Sequence, residues 1–311
     1  MSTANLSGKL LLLSSLSVSV CAQSAPYFDG RKAFDLLEAQ VAMGPRYNGS
    51  PGHQALQETL ATYLGERAHD LRLHEASMDH PYNGGTLEII NFLARFNTHV
   101  TQRILILAHY DTRPFADQDP IEANRNTPIL GANDGASGVA ILMVLADMMA
   151  ADAPDIGVDL LFVDAEDVGR SGDLANFALG TRMFVKDMNR VLGGIRPRYA
   201  VLLDMVGDKE LSLPIEAHSW RGAPQLVRRV WDIAAELGYG QFKFENGPAI
   251  FDDHVPLLEA GIPAIDIIDF DYPNRSVNYW HTLQDTADKC SPESLEAVGT
   301  VVAALIYGER P

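Results

Sequence analysis

Three carboxylates stand within four residues at the end of an apolar stretch, in the sequence VDAEDV at residues 163–168. Asp164, Glu166 and Asp167 repel one another, and burying them adds a cost in desolvation free energy. A bound cation relieves that repulsion, because its positive charge stabilises the ionised carboxylates. The stretch therefore indicates either a turn that caps the following helix or a site whose acids bind a metal or carry protons.

Comparable polar residues follow other apolar stretches or open helices along the chain. They are His109, Asp111, Asp134, Asp204, Asp208 and His281. Singly, each could be a turn residue or a helix cap. Together they favour a shared site, because the carboxyl ends of the strands form the binding edge of an open α/β sheet. Asp, Glu and His are zinc ligands, and a catalytic zinc keeps three protein ligands and one open position.

The elements that must position these residues alternate between strand and helix. Branched apolar runs predict strands at residues 86–96, 103–111, 158–167, 198–208 and 262–269. Helical spacing predicts two opening helices, the second capped by Ser50 before Pro51, and further helices at residues 136–150, 178–189, 223–237, 255–260 and 292–307. The pattern predicts an α/β three-layer sandwich, with a mostly parallel twisted central sheet and helices on both faces.

The domain organisation follows from the termini and the connections. Residues 1–25 carry Lys9, a short apolar run and small residues around Cys21 and Ala22, which is typical of a secretory signal. We expect export to the periplasm or medium, with cleavage after Ala22 or a lipid anchor at Cys21 as alternatives. Residues 26–311 form one predicted catalytic domain. Its connection from Arg113 to Leu130 is long enough to suggest a function.

The composition limits the partners of the chain. A formal net charge of -17 argues against binding to nucleic acid or to an anionic membrane surface, because both require positive potential. Apart from the signal, no stretch of the sequence resembles a membrane span. We expect a monomer that acts on peptide or protein N-termini.

The ordered motifs of the chain resemble those of the glutaminyl cyclases, which share their fold with the zinc aminopeptidases. The motifs are AHYD, GANDGASG, DAED, LLDMVGD, DDHVPLLEAGIPA and YWHT, and the resemblance covers nearly all of the predicted mature chain. It implies an enzyme that converts the N-terminal glutamine of a peptide to pyroglutamate and releases ammonia. As a set, the motifs are highly specific for this fold. They distinguish the cyclase activity from the peptidase activity less sharply.

The resemblance also implies roles for individual residues. Asp134, Asp167 and His281 match the ligands of a single zinc ion, and Glu166 matches the residue that acts as general base and general acid. Asp167 stands where animal cyclases carry Glu, a change that resembles bacterial members of the family.

The same resemblance extends to the surroundings of Glu166. Asp204 and Asp252 match carboxylates near the general base, and we expect them to raise its pKa by like-charge repulsion or by sharing a proton. Trp280 matches an aromatic wall of the substrate pocket. Asp266 stands where animal cyclases carry His, so this part of the polar network differs from theirs.

A dizinc aminopeptidase is the alternative that the sequence leaves open. His109 and Asp204 are the residue types and positions that would hold a second zinc, with Asp134 as the bridging ligand. Glu166 would then activate a water molecule for hydrolysis of the first peptide bond. The segment RPFADQDP resembles the bacterial cyclase form of its loop, which favours the cyclase.

Overall fold

A six-stranded sheet lies at the centre of the protein in the computed structural model, which describes residues 27–311. Its strands, in chain order, are β1 (Asp70–Asp79), β2 (Thr86–Phe96), β3 (Arg103–His109), β4 (Gly157–Val163), β5 (Ala200–Asp204) and β8 (Ala264–Ile268). Their spatial order is β1-β2-β4-β3-β5-β8. Strands β4, β3, β5 and β8 are parallel to their neighbours within this group, whereas β2 pairs antiparallel with both β1 and β4.

Helices cover the sheet on both faces. They are α1 (Gly30–Ala42), α2 (Pro51–Gly65), α3 (Ala136–Ala151), α4 (Leu179–Val191), α5 (Ala217–Gly222), α6 (Pro224–Leu237), α7 (His254–Glu259) and α8 (Pro292–Gly308). Ser50 caps α2 as predicted, because its hydroxyl oxygen accepts a hydrogen bond from the backbone N–H of His53 at 3.1 Å. Two smaller sheets complete the structure, β6 (Leu213–Ile215) with β7 (Phe242–Asn246) and β9 (Pro273–Asn274) with β10 (Val277–Asn278).

Side chains of β3 alternate between the two cores, as strand geometry requires. Ile104 and Ile106 pack in the core formed with α1, α2, α3, α6 and α8. Leu105 and Leu107 pack in the opposite core, which contains Phe184 of α4. All residues of β3 and β4 are buried. The predicted three-layer sandwich is therefore confirmed, with a sheet that is mostly parallel and covered on both faces.

The predicted export signal, including Cys21 and Ala22, lies outside the described residues, and export stays a prediction. Across residues 27–311, no helix combines the length and the apolar character that a membrane crossing requires.

Candidate metal centre and acid cluster

Three adjacent parallel strands bring the predicted site residues to one edge of the sheet. Strand β3 ends at His109, β5 ends at Asp204, and the loop after β4 carries Glu166 and Asp167. Asp134 joins them from the turn before α3, and His281 from the loop after β10. Met205, Ala165 and His281 have positive φ values of 49°, 54° and 54°. Such left-handed backbone is unfavourable for these residue types, so the surrounding contacts must hold it in place.

Asp134, Asp167 and His281 form a buried group that fits a metal ion. Nε2 of His281 lies 3.4 Å from Oδ2 of Asp134 and 3.4 Å from Oδ1 of Asp167. Within residues 27–311, the buried Oδ2 atoms of Asp134 and Asp167 have no hydrogen-bond partner. Buried carboxylate oxygens without partners are costly, and a cation would satisfy both of them. One imidazole and two carboxylates are also a donor set that zinc accepts.

His109, Asp134 and Asp204 form a second buried group that shares Asp134 with the first. Nε2 of His109 is 3.1 Å from Oδ1 of Asp204, to which it is hydrogen-bonded, and 3.3 Å from Oδ1 of Asp134. Burial lowers the pKa of His109, but hydrogen bonds with Asp111, Asp134 and Asp204 outweigh that effect and hold it well above its ordinary value. A protonated His109 thus neutralises part of the charge of these acids.

Two further carboxylates hold the backbone of the site from behind. Asp111 accepts hydrogen bonds from the backbone N–H groups of Glu166 and Asp167, at 3.0 and 3.1 Å. Asp285 does the same for Asn133 and Asp134, at 2.8 and 3.1 Å. Each carboxylate therefore fixes a loop that carries a member of the first group.

Asp164 supports the same loop through its side chain. Its Oδ1 accepts hydrogen bonds from Nε2 of His53 and from the backbone N–H of Ala165, both at 2.8 Å. Its Oδ2 accepts the backbone N–H of Ile90 at 3.0 Å. The opening trio of carboxylates thus divides into one structural residue and two that line the site.

Glu166 is buried among other acids, and this shifts its pKa upward. Burial makes the largest contribution, followed by repulsion from Asp252 and Asp167, so the pKa of Glu166 lies well above its ordinary value. The pKa of Asp252 is raised in the same way by burial and then by Asp204. Repulsion from Asp252 thus contributes directly to the raised pKa of Glu166, whereas Asp204 raises the pKa of Asp252. A carboxyl group with a raised pKa is suited to exchanging protons.

A cavity of about 50 Å³ lies against both groups. Its polar lining consists of Asp134, Glu166, Asp167, Asp204, Asp252 and His281, and its apolar lining of Phe177, Ile250, Phe251, Ile268, Phe270 and Trp280. Trp280 lines this cavity, and its ring centroid lies 4.9 Å from that of Phe270. The aromatic wall suits a compact substrate group held against the acids.

Asp208 and Asp266, which the sequence analysis singled out, are not members of the first group. Asp208 belongs to neither metal-type group, and its backbone carbonyl accepts the hydroxyl of Ser294. Asp266 is buried on β8, where neither carboxylate oxygen has a hydrogen-bond partner within the described chain. Burial and then repulsion from Asp252 raise the pKa of Asp266 well above its ordinary value.

Sequence reasoning missed Arg113 and Asp117, which contact the first group. The guanidinium of Arg113 donates to Oδ1 of Asp167 at 2.5 Å, and Oδ1 of Asp117 lies 3.5 Å from Nδ1 of His281. The signals for them were the unusual length of the loop that carries both and the resemblance of its segment RPFADQDP to the bacterial cyclase loop.

Comparison with known proteins places this site in a family. The family model described as Peptidase family M28 matches residues 91–306, which is more than half of the chain. The chain belongs to peptidase family M28. Its α/β sandwich is thus the fold of a known family.

Several solved structures resemble the chain over almost its whole length. The glutaminyl cyclase of Bacteroides thetaiotaomicron is 35% identical with a TM-score of 0.87, covering 92% of this chain and 100% of its own. The glutaminyl cyclase of Tannerella forsythia is 37% identical with a TM-score of 0.86, with the same coverage. A structure described as a leucine aminopeptidase precursor from B. thetaiotaomicron is 36% identical, with a TM-score of 0.86 and coverage of 92% and 99%.

Proposed function

We propose that this protein is a zinc-dependent glutaminyl-peptide cyclotransferase, which converts the N-terminal glutamine of peptides to pyroglutamate. The observation that carries the proposal is the buried group of Asp134, Asp167 and His281, with two unpartnered carboxylate oxygens, beside the buried acid Glu166. The similarity to bacterial glutaminyl cyclases over 92% of the chain supports the same activity.

The chemistry of this reaction matches the groups that line the cavity. The α-amine nitrogen of the substrate bonds to its own side-chain carbonyl carbon, and the bond from that carbon to the amide nitrogen breaks, so that ammonia leaves. Because the attack is intramolecular, the enzyme gains most from proton transfer and charge stabilisation. Zinc held by Asp134, Asp167 and His281 would supply Lewis acidity toward the amide oxygen.

Glu166 is the residue that we assign to proton transfer. It would take a proton from the attacking amine and deliver one to the leaving nitrogen, which requires both protonation states to be accessible. Burial, and then repulsion from Asp252, keeps the pKa of Glu166 high. Trp280 would pack against the side chain of the substrate.

We infer one zinc ion rather than two from the hydrogen bonding of the second group. His109 is already hydrogen-bonded to Asp204 and faces Asp134, so it supplies a charge partner from the chain itself. The unpartnered Oδ2 of Asp167 belongs to the first group alone, and the unpartnered Oδ2 of Asp134 lies beside His281, whereas His109 faces Oδ1 of Asp134. The first group is therefore the better cation site.

A dizinc aminopeptidase is the second candidate function. His109, Asp134 and Asp204 can each offer a ligand atom within 4.8 Å of the others, which would suit a second metal. A relative described as a leucine aminopeptidase precursor is also similar over 92% of the chain. In this case, Glu166 would activate water and the first residue would be released.

An assay with two matched peptides tests the proposal. The zinc-loaded protein is incubated with peptides that begin with Gln or Leu and are otherwise identical. The cyclase releases ammonia from the Gln peptide and nothing from the Leu peptide. Release of free leucine without ammonia would instead support the aminopeptidase.

A further inference from the structure

The loop segment 113–119 contacts both Asp167 and His281, although neither is near it in sequence. Its first residue is Arg113, whose side chain is fully buried. Arg113 donates from Nη1 to Oδ1 of Asp167 at 2.5 Å, and from Nε and Nη2 to the two carboxylate oxygens of Asp117, each at 2.8 Å. The planar guanidinium thus joins two carboxylates in a fixed geometry that a lysine could not reproduce.

Two aromatic rings hold this guanidinium in place. Its Cζ atom lies 4.7 Å from the ring centroid of Phe115 and 5.3 Å from that of Phe177. Cation–π contacts of this kind are strongest where water is excluded. The rings and the carboxylates together leave Arg113 little freedom to reorient.

Asp117 extends the connection to His281. Its Oδ1, already an acceptor from Arg113, lies 3.5 Å from Nδ1 of His281. Because the carboxylate of Asp117 lies beside Nδ1, the other ring nitrogen of His281, Nε2, is the one that faces Asp134 and Asp167.

The segment also forms hydrogen bonds with the backbone of the loop that carries His281. The N–H of Gln118 donates to the carbonyl of His281 at 3.2 Å, and Oδ2 of Asp119 accepts the N–H of Leu283 at 3.1 Å. These contacts flank the left-handed backbone of His281, which needs such support. Both the ring and the main chain of His281 are therefore fixed by one segment.

We propose that residues 113–119 form a ligand clamp, a set of positioning residues that holds Asp167 and His281 in the geometry that binds zinc. Arg113 occupies Oδ1 of Asp167, so that the unpartnered Oδ2 is the oxygen left for the metal. Asp117 orients His281 through Nδ1, so that Nε2 faces Asp134 and Asp167. The inference rests on the proposed zinc ligands and assigns the long loop its role.

The test is the zinc affinity of the Asp117→Asn variant, measured by competition with a chelator. This change removes the anion behind His281 and leaves the charge of Arg113 less compensated beside Asp167. Both effects weaken zinc binding, and loss of such a supporting contact typically costs about 10- to 100-fold in metal affinity. Glu122→Gln is the matched control, because it makes the same carboxylate-to-amide change at an exposed position of the same loop.

The outcomes separate the clamp from the proposed function. If the wild-type protein binds no zinc, the ligand set itself is wrong. If the wild type and Glu122→Gln bind zinc and Asp117→Asn binds it equally well, the clamp is overturned. A variant that only loses thermal stability in the metal-free form, with unchanged zinc affinity, also overturns it.

A second variant tests the same proposal if Asp117→Asn fails to fold. Arg113→Lys keeps the positive charge and removes the fork that joins Asp117 to Asp167. We expect about tenfold weaker zinc binding and a changed visible absorption spectrum of the cobalt-substituted protein. An unchanged affinity and spectrum in this variant would contradict the role of Arg113.

Discussion

The indole of Trp280 stacks on the imidazole of His281, with ring centroids 3.7 Å apart and 26° between the ring planes. One residue lines the apolar side of the cavity, and the next belongs to the candidate metal group. The proposed substrate wall and the proposed metal ligand are thus adjacent both in the sequence and in space. A substrate group packed on the indole would lie beside the position proposed for zinc.

Trp280→Ala should raise KM for a glutamine-initiated peptide by about tenfold or more, because it removes an apolar contact to the substrate. Trp280→Phe should keep most of the affinity. Steady-state kinetics measure the effect, and zinc content serves as the control, since Trp280 also contacts His281. An unchanged KM in Trp280→Ala, with zinc retained, would rule out the substrate contact.

Glu166→Gln should lower kcat by about 10²- to 10⁴-fold, the usual contribution of a general acid or base. The amide cannot exchange the proton that the reaction moves. Zinc should remain bound, because the three proposed ligands are intact, and metal analysis checks this. Near wild-type turnover in the zinc-loaded variant would show that the proton is carried by another group.

Asp167→Asn should lose zinc during dialysis, whereas the wild type keeps it. The substitution weakens a proposed ligand and also the ion pair with Arg113. Zinc content by elemental analysis is the readout, with circular dichroism to confirm folding and Glu122→Gln as the control. Full zinc occupancy in folded Asp167→Asn would refute the ligand set.

Asp269 gives a stability prediction that is independent of zinc. Burial raises its pKa to about 8, against a reference value of about 4 for an unfolded chain. The folded protein therefore keeps a proton that the unfolded chain loses, and its free energy of unfolding should fall as pH rises from about 4 to 8.

Asp269→Asn removes this proton exchange. Relative to the wild type, the variant should gain stability between pH 5 and pH 8, by an amount on the order of a few kcal/mol. Urea denaturation at both pH values measures the difference, with exposed Asp35→Asn as the control. A difference between Asp269→Asn and the wild type that does not change with pH would contradict the prediction.

The central sheet was predictable because its parallel strands are continuous apolar runs. Strand β1 was not, because it is an edge strand that buries only His74 and exposes charged residues, so no apolar pattern marks it. Strand β6 has only three residues, too few for a periodic signal, and α5 buries only Ser219, so no apolar stripe marks it.

The residues of the site also differ in whether their positions could be predicted from the sequence. His109, Asp167 and Asp204 could be placed together from sequence, because adjacent parallel strands must bring their carboxyl ends to one edge. Arg113 and Asp117 could not, because their contacts with Asp167 and His281 depend on how a long loop folds back over the sheet. The length of that loop indicated a function. The contacts in the structure identify Arg113 and Asp117 as the side chains of the loop that reach the site.

The most direct measurement is mass spectrometry of a glutamine-initiated peptide after incubation with the zinc-loaded protein. The account predicts a product that has lost one ammonia and keeps every residue, formed at least about 100-fold more slowly by Glu166→Gln. A peptide shortened by its first residue would contradict the cyclase assignment, and it would make His109 and Asp204 the ligands of a second metal.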